Sequence, residues 1–177
     1  MNHVLCRTIT EARFFGPYQE GGSGDVTGRM ELAFRPRRGY PEAVPLRTRF
    51  GWMQLYLGQR CETSLREGMH QVATVEYQYK LFAPDDSGDA LLRWEYVKRW
   101  PREDARWCRH HLQGPLRLSL GDGVGLNELH LPTGYVVIED VIRFCINDLE
   151  VEPLSAEWHT VLEESYERFR SESTPPR

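Results

Sequence analysis

The sequence predicts an α+β fold, in which an antiparallel β-sheet of about five to seven strands carries two C-terminal helices packed on it. The first observation is the alternation of apolar and polar side chains in residues 72–82 and again in residues 90–97. The second is an apolar stripe at helical spacing in residues 137–149, followed by another in residues 158–169. Strand patterns followed by helical patterns are typical of the α+β class.

The composition is that of an ordinary globular domain. The 177 residues are 40% hydrophobic and 27% charged. We predict one α+β domain over residues 1–172 and a disordered tail over residues 173–177, which are rich in Ser, Thr and Pro. The sequence has no apolar run of the roughly 18 residues that cross a membrane, and no N-terminal secretion signal. We therefore expect a cytoplasmic protein with no membrane partner.

The four cysteines, Cys6, Cys61, Cys108 and Cys145, are widely spaced and form no Cys-x-x-Cys pair. Reduced thiols are the first interpretation, because disulfides are uncommon in the cytosol. Zinc binding is the alternative, and it requires the cysteines to converge in the fold, alone or with histidines. No His-Glu-x-x-His motif is present, so the sequence predicts neither a metal nor another cofactor.

The first third of the chain has weaker patterns than the rest. Strand-like segments are expected at residues 3–15, 26–35 and 46–58. Loops rich in glycine or proline separate these segments. A short helix is the interpretation for residues 62–66.

The clearest unit is a hairpin formed by residues 72–82 and 90–97. Between them, Pro84-Asp85-Asp86-Ser87-Gly88 has the residues of a tight turn. Arg93 and Glu95 are two residues apart in the second strand, so their side chains should project from the same face.

The last third of the chain contains one more strand pattern and then the two helices. Residues 116–120 alternate, and the glycine-rich residues 121–125 are interpreted as a hairpin turn. This turn lacks the Gly-Lys-Ser/Thr ending of a phosphate loop and the glycine spacing of a dinucleotide fold. Pro153 prevents the first helix from continuing, and Ser155 is a suitable N-cap for the last helix.

The residues most suited to chemistry lie in a basic stretch in the middle of the chain. Residues 93–117 contain seven basic and three acidic side chains, in a chain whose net charge is −4. The stretch includes the adjacent histidines His110 and His111. An imidazole titrates near neutral pH, so either histidine suits a general acid or base. The structural alternative is that one histidine is buried with a hydrogen-bond partner and the other is solvated.

Three arginines and one glutamate complete this candidate site. Arg93, Arg106 and Arg109 are suited to bind a phosphate through the forked guanidinium group. Glu95 is expected to orient an imidazole or to act as the base. Together these groups match a metal-independent ribonuclease, in which a 2′-OH attacks the adjacent phosphate and arginine holds the developing charge. Because neighbouring residues of a regular strand face opposite ways, both histidines serve one site only where a loop or bulge intervenes.

The tryptophans of the basic stretch have two interpretations. Trp100 and Trp107, in its irregular part, are candidates to stack on the bases of single-stranded nucleic acid. Trp94 and Tyr96 share the face of Leu92 in the predicted hairpin, which favours the core for them.

The order of these motifs resembles the TumE family of small bacterial toxins from toxin–antitoxin pairs. The resemblance covers roughly residues 74–150 and rests on a Tyr-rich strand, Leu92-Arg93-Trp94-Glu95, His110-His111 and Ile138-Glu139-Asp140-Val141-Ile142. It implies a cytoplasmic toxin that acts on RNA and is neutralised by an antitoxin encoded beside it. Arg93, Glu95, His110 and His111 stand at the motif positions, with Trp94-Glu95 where the family has Tyr-Asp.

Two functions follow as expectations. The first is a toxin-like or defence-related protein that acts on RNA phosphodiesters by metal-independent acid/base chemistry. The second is a non-catalytic protein-interaction domain of a mobile-element or operon partner complex. The expected partners are an RNA substrate and an antitoxin or operon-encoded protein. Convergence of Arg93, Glu95 and a histidine in one concave site favours the first.

Overall fold

The computed structural model describes residues 1–16, 18–20, 26–35, 40–83, 88–98, 109–114, 117–118, 124–125 and 131–172. The helices in these residues are α1 (Asn2–Thr8), α2 (Ile138–Asn147) and α3 (Trp158–Glu172). The strands are β1 (Phe14–Phe15), β2 (Tyr18–Glu20), β3 (Val26–Phe34), β4 (Val44–Thr48), β5 (Gly51–Arg66), β6 (Met69–Phe82), β7 (Ala90–Val97), β8 (His110–Gln113), β9 (Arg117–Leu118), β10 (Val124–Gly125) and β11 (Leu131–Pro132).

The main sheet is antiparallel, and its seven-strand path runs β1-β3-β5-β6-β7-β8-β11. Strand β2 pairs with β3 and β4 pairs with β5, whereas β9 and β10 form a separate two-stranded sheet. Two of the three helices follow the strands at the C-terminal end. The predicted α+β class is therefore confirmed.

The two faces of the sheet follow from alternation along its strands. Tyr77, Tyr79 and Leu81 of β6 have exposures of 1% or less, and we call their side the core face. The opposite side, which we call the polar face, carries Arg60, Gln78, Lys80, Arg93, Glu95 and His111 on β5 to β8. The β6–β7 hairpin and its period-two pattern are confirmed, and Arg93 and Glu95 share a face as predicted.

Helices α2 and α3 cover the core face. The stripe predicted in residues 137–149 appears as α2, with Val141, Ile142 and Cys145 buried. The ring of Trp94 meets Phe144 of α2 edge to face, with centroids 5.4 Å apart. Trp94 therefore packs against the core, as its position in the hairpin predicted.

The N-terminal segment differs from its prediction. Residues 2–8 form helix α1, so the strand predicted over residues 3–15 is wrong except at Phe14–Phe15. Val4, Leu5 and Thr8 are buried, at the spacing of one helix face. The Leu154 N–H donates to the Thr8 carbonyl at 2.8 Å. Contacts with the C-terminal part of the chain stabilise this helix. The pattern of apolar and polar residues within the segment does not indicate such distant contacts.

The short helix predicted over residues 62–66 is also wrong, because these residues extend β5. They pair with the start of β6, with Leu65 opposite His70. Glu67 and Gly68 connect the strands with φ angles of 51° and 77°. Two positive φ angles in succession are typical of a two-residue hairpin turn. The ladder with β6 therefore decides the conformation of this segment.

The last helix begins later than the sequence predicts. Ser155 is not its N-cap: α3 starts at Trp158, whose N–H donates to the Ser155 carbonyl at 3.2 Å. The Ser155 hydroxyl accepts the Glu157 N–H at 3.2 Å, so this serine closes the turn that precedes the helix. The tail predicted over residues 173–177 lies outside the described residues. No helix within the described part of the chain has the length and apolar character to cross a membrane.

Candidate functional site

The two adjacent histidines lie on opposite faces of the sheet. In the register of β7 with β8, His111 is opposite Glu95 and His110 is opposite Tyr96. The pairing from Arg93 to Tyr96 is continuous, so no bulge brings the histidines to the same side. The structure therefore joins His111, but not His110, to the predicted residues Glu95 and Arg93.

Glu95 and His111 form a pair on the polar face. Glu95 Oε2 lies 3.4 Å from His111 Nε2, and the two side chains are 18% and 6% exposed. The hydrogen bond with His111 lowers the pKa of Glu95 against the opposing effect of burial, and Arg93 and Lys80 lower it further. Glu95 is therefore ionised at neutral pH, and an ionised carboxylate fixes the orientation of the imidazole.

Two cations occupy the next row of the polar face. Lys80, Arg93 and Gln113 are aligned across β6, β7 and β8. Arg93 Nη2 donates to Gln113 Oε1 at 2.9 Å, and Lys80 Nζ lies 3.9 Å from Glu95 Oε1. Rows on one face are two residues apart along a strand, roughly 7 Å. The two cations therefore lie in the row next to the Glu95–His111 pair.

His110 belongs to an aromatic layer on the core face. Its ring stacks on Tyr96, with centroids 4.3 Å apart and an interplanar angle of 7°. Tyr135 meets both rings edge to face. Burial lowers the pKa of His110, and the nearby charges of Arg109 and His111 lower it further. The neutral imidazole is therefore favoured at this position.

Tyr77 contacts both His110 and the start of helix α2. The Tyr77 hydroxyl accepts the Val136 N–H at 3.1 Å and lies 3.3 Å from His110 Nδ1. This hydroxyl donates to Nδ1 in one imidazole tautomer and accepts from Nδ1–H in the other. Nε2 is buried and has no hydrogen-bond partner among the described residues. This arrangement is that of a structural histidine.

Of the remaining predicted site residues, Arg109 is described by the structure and is not brought to the Glu95–His111 pair. Arg109 is exposed, and its charge acts on Tyr96 and His110 of the core face. Arg106, Trp100 and Trp107 lie outside the described residues. The described site therefore retains Glu95, His111 and Arg93 of the set that the sequence predicts.

A groove on the polar face extends beyond the predicted residues. A cavity of about 480 Å³ is lined by Arg29, Glu62, Val97 and Lys98, among others. A second cavity, of about 150 Å³, shares Glu31, Arg60 and Glu76 with the first and also contacts Tyr56, Gly58 and Gln78. A third, of about 290 Å³, is lined by Lys80, Phe82 and Arg93. Basic and acidic side chains both line these cavities, with Glu31, Glu62 and Glu76 beside the cations of the first two and Asp89 beside those of the third.

Sequence reasoning missed Tyr56, Arg60 and Lys80, which come from strands outside the basic stretch. Arg60 is paired with Glu76, at 2.8 Å between Nη1 and Oε2. The available signal was alternation: Tyr56 and Arg60 both occupy even positions of β5, opposite polar positions of β6. Side chains that come together only through strand pairing cannot be identified from the clustering of basic residues along the chain.

The two buried cysteines of the described residues, Cys61 and Cys145, are poor nucleophiles. Cys6, Cys61 and Cys145 have free thiols. Burial raises the pKa of Cys61, and it raises that of Cys145 to about 12. Thiols with raised pKa values react slowly at neutral pH. Cys108 lies outside the described residues. Within the described segments, no three His, Cys, Asp or Glu side chains converge as a metal site.

Comparison with known proteins adds no information about the function of this chain. No protein-family model, no curated protein and no solved structure matches the chain. The fold and site define an α+β protein with an acid–base pair on the polar face of an antiparallel sheet.

Proposed function

We propose that this protein acts on RNA phosphodiesters by metal-independent acid/base chemistry at Glu95 and His111. The observation that carries the proposal is the 3.4 Å contact between Glu95 Oε2 and His111 Nε2, one row from two cations. A proton acceptor beside groups that bind a phosphate is the minimum that this reaction needs.

The cations have the binding role. In this proposal Arg93 and Lys80, which are neighbours across β6 and β7, hold the non-bridging oxygens of a phosphate, where negative charge accumulates as the reaction proceeds. Gln113 fixes the Arg93 guanidinium through the 2.9 Å hydrogen bond. A fixed donor stabilises the transition state better than a mobile one, because it needs no reorganisation.

The acid–base pair has the proton-transfer role. The 2′-OH of the substrate gives its proton to the pair, and its oxygen forms a bond to phosphorus. The bond from phosphorus to the 5′ oxygen breaks, and that oxygen takes a proton from the pair. The products are a 2′,3′-cyclic phosphate and a 5′-hydroxyl. Since His111 is only 5% exposed, substrate approaches from the Glu95 side.

A cleavage assay tests this proposal. Labelled single-stranded RNA is incubated with the protein in the presence of a chelator, and the termini of the products are analysed. Glu95→Gln and His111→Gln are each expected to lower the rate about 10²- to 10⁴-fold, the usual contribution of a general acid or base. An oligonucleotide of the same sequence with 2′-deoxyribose at every position should remain intact, because it has no 2′-OH.

The matched control is Glu157→Gln. Glu157 precedes helix α3, is 73% exposed, lies 2.7 Å from Arg7 and does not line the three cavities. Its rate should stay within about threefold of wild type, because a weak exposed ion pair has no part in proton transfer. The proposal fails if the wild-type protein leaves RNA intact, or if it also cleaves the 2′-deoxy substrate.

The resemblance to the TumE family supports a toxin-like or defence-related role for this reaction. Induced expression in a bacterial host is expected to arrest growth and degrade total RNA, with an antitoxin as the protective partner. The Glu95→Gln variant, expressed at the same level, should restore growth. If this variant still arrests growth while total RNA stays intact, the toxicity does not depend on RNA cleavage.

A non-catalytic protein-interaction domain is the second candidate, and one observation favours it. Leu65 and Val72 share one face at the end of the β5–β6 hairpin and are 50% and 62% exposed. Exposed apolar side chains that cluster in this way are typical of a contact surface for another protein. Co-purification with the product of a neighbouring gene, lost in a Leu65→Ser/Val72→Ser variant, would support this function.

A further inference from the structure

We propose that Tyr56 is a stacking platform for an unpaired base of single-stranded RNA in the groove of the polar face. This inference rests on the proposed function and specifies its substrate as a single strand.

The position of the Tyr56 ring depends on Gly58. The two residues are two positions apart on β5 and face the same side. A Cβ atom built at Gly58 would lie 2.8 Å from the Tyr56 hydroxyl oxygen and 2.9 Å from Cε1. The tip of the ring therefore occupies the space that a side chain at position 58 would fill. Only glycine permits this position of the ring.

The ring is open to the groove. Tyr56 is half-buried, and it lines the cavity of about 150 Å³ together with Gly58 and Gln78. Lys80 Nζ lies over the ring, 5.8 Å from its centroid. Burial raises the pKa of the Tyr56 hydroxyl, and the nearby carboxylate of Glu31 raises it further. The platform is thus an uncharged aromatic surface, in a cavity that the carboxylates of Glu31 and Glu76 line together with Arg60.

Cations lie on both sides of the platform along the groove. Lys80 is opposite Tyr56, and Arg60 is two residues beyond Gly58 on the same face. Proteins that bind single strands combine a basic groove with aromatic side chains on which bases stack. Bases in a duplex are already stacked on each other, so a duplex offers no base to this ring.

The platform is also aligned with the acid–base pair. Gly58 is opposite Gln78, Gln78 is opposite Glu95, and Glu95 is opposite His111. Two strand spacings separate Gly58 from Glu95, about 10 Å at 4.7–4.9 Å per strand. A base stacked on Tyr56 therefore holds the adjoining backbone close to the pair. Tyr56 belongs to the neighbouring row, opposite Lys80, and its ring reaches over Gly58 into the row of Glu95 and His111.

The test is fluorescence anisotropy with a labelled 2′-O-methyl adenosine hexamer, which binds as a single strand and cannot be cleaved through its 2′ oxygen. Tyr56→Ala is expected to raise the dissociation constant about 5- to 150-fold, the usual range for one stacked base. Gly58→Ala should also weaken binding, because the added methyl group displaces the ring. Tyr56→Trp should remain within about threefold of wild type, because indole also stacks.

The matched control is Trp52→Ala. Trp52 is an aromatic residue of the same strand, 58% exposed, and does not line the three cavities of the groove. This variant should bind as wild type does, and a duplex of the same sequence should bind at least tenfold more weakly. Thermal unfolding shows whether each variant is folded. If Gly58→Ala does not fold, Tyr56→Ala and Tyr56→Trp still test the inference, because they leave position 58 unchanged.

The outcomes separate this inference from the proposed function. If Tyr56→Ala binds within twofold of wild type while Arg93→Ala binds weakly, the platform is overturned and the phosphate site stands. Equal affinity for the duplex also overturns it. If the wild-type protein binds no hexamer, the platform and RNA as substrate are overturned together. Binding through Tyr56 without cleavage of unmodified RNA overturns only the catalytic role of Glu95 and His111.

Discussion

Tyr77 and His110 are joined through the tyrosine hydroxyl, which lies 3.3 Å from the imidazole Nδ1. The same hydroxyl accepts the Val136 N–H at 3.1 Å, just before helix α2. His110 thus contacts the residue that holds the start of α2, and burial favours the neutral form of its imidazole by lowering its pKa.

Acidification is therefore expected to destabilise the protein through His110. The pKa of His110 is lowered from 6.5, chiefly by burial, so the unfolded chain binds the proton more readily than the folded protein. The stabilising contribution is fully present above pH 6.5 and is lost as the pH falls toward the lowered value. Urea unfolding at pH 7.5 and pH 5.5 measures the loss.

His110→Phe retains stacking on Tyr96 and should reduce the difference in the free energy of unfolding between these two pH values. His70→Gln changes an exposed histidine and should leave that difference as in wild type. Equal pH dependence in wild type and His110→Phe would contradict the neutral state of His110.

Glu95→Gln is expected to lower the free energy of unfolding at pH 7 by about 1–3 kcal/mol, the range for a hydrogen bond to a charged group. The pKa of Glu95 is lowered from 4.5, so its contribution is present above pH 4.5 and is lost as the pH falls further. The difference between wild type and variant should therefore shrink in acid. Glu62→Gln, whose partner Arg29 is 51% exposed, should cost less than about 1 kcal/mol at any pH.

Truncation of Ile142 is expected to cost about 2–5 kcal/mol, because this side chain of α2 is fully buried against the core face. Chemical denaturation of Ile142→Ala measures the loss. Leu154→Ala is the control, since Leu154 is 50% exposed and its truncation should change stability by less than about 0.5 kcal/mol. Similar costs for both variants would contradict the assignment of the core.

Gly68→Ala is expected to destabilise the protein by about 1–2 kcal/mol. Gly68 has a φ of +77°, a conformation that costs this much for a residue with a Cβ atom. Gly134 has open space around it and no positive φ, so Gly134→Ala should be neutral or slightly stabilising. Thermal unfolding compares the two variants, and an equal effect would contradict the geometry of the turn.

Elements with a strong local period could be predicted from the sequence. Alternation along β6 and β7 gave the hairpin and the shared face of Arg93 and Glu95, and the stripe of Val141, Ile142 and Cys145 gave α2. In these segments the residues that contact the core also follow the period of the element. Packing and local pattern therefore indicate the same structure.

Elements that depend on distant partners could not be predicted in this way. Helix α1 packs against the C-terminal part of the chain, and the end of β5 is a strand because the start of β6 pairs with it. The same limit applies to the site. Glu95 and His111 are 16 positions apart and meet through strand register, which the sequence does not display.

Strand β8 contributes side chains to both faces of the sheet. Its consecutive residues hold the aromatic layer beneath the helices through His110 and the carboxylate contact of the groove through His111. One peptide bond connects them, so a displacement of β8 alters both environments at once. A substitution at Tyr77, which contacts His110, is therefore expected to alter the surroundings of His111 on the opposite face as well.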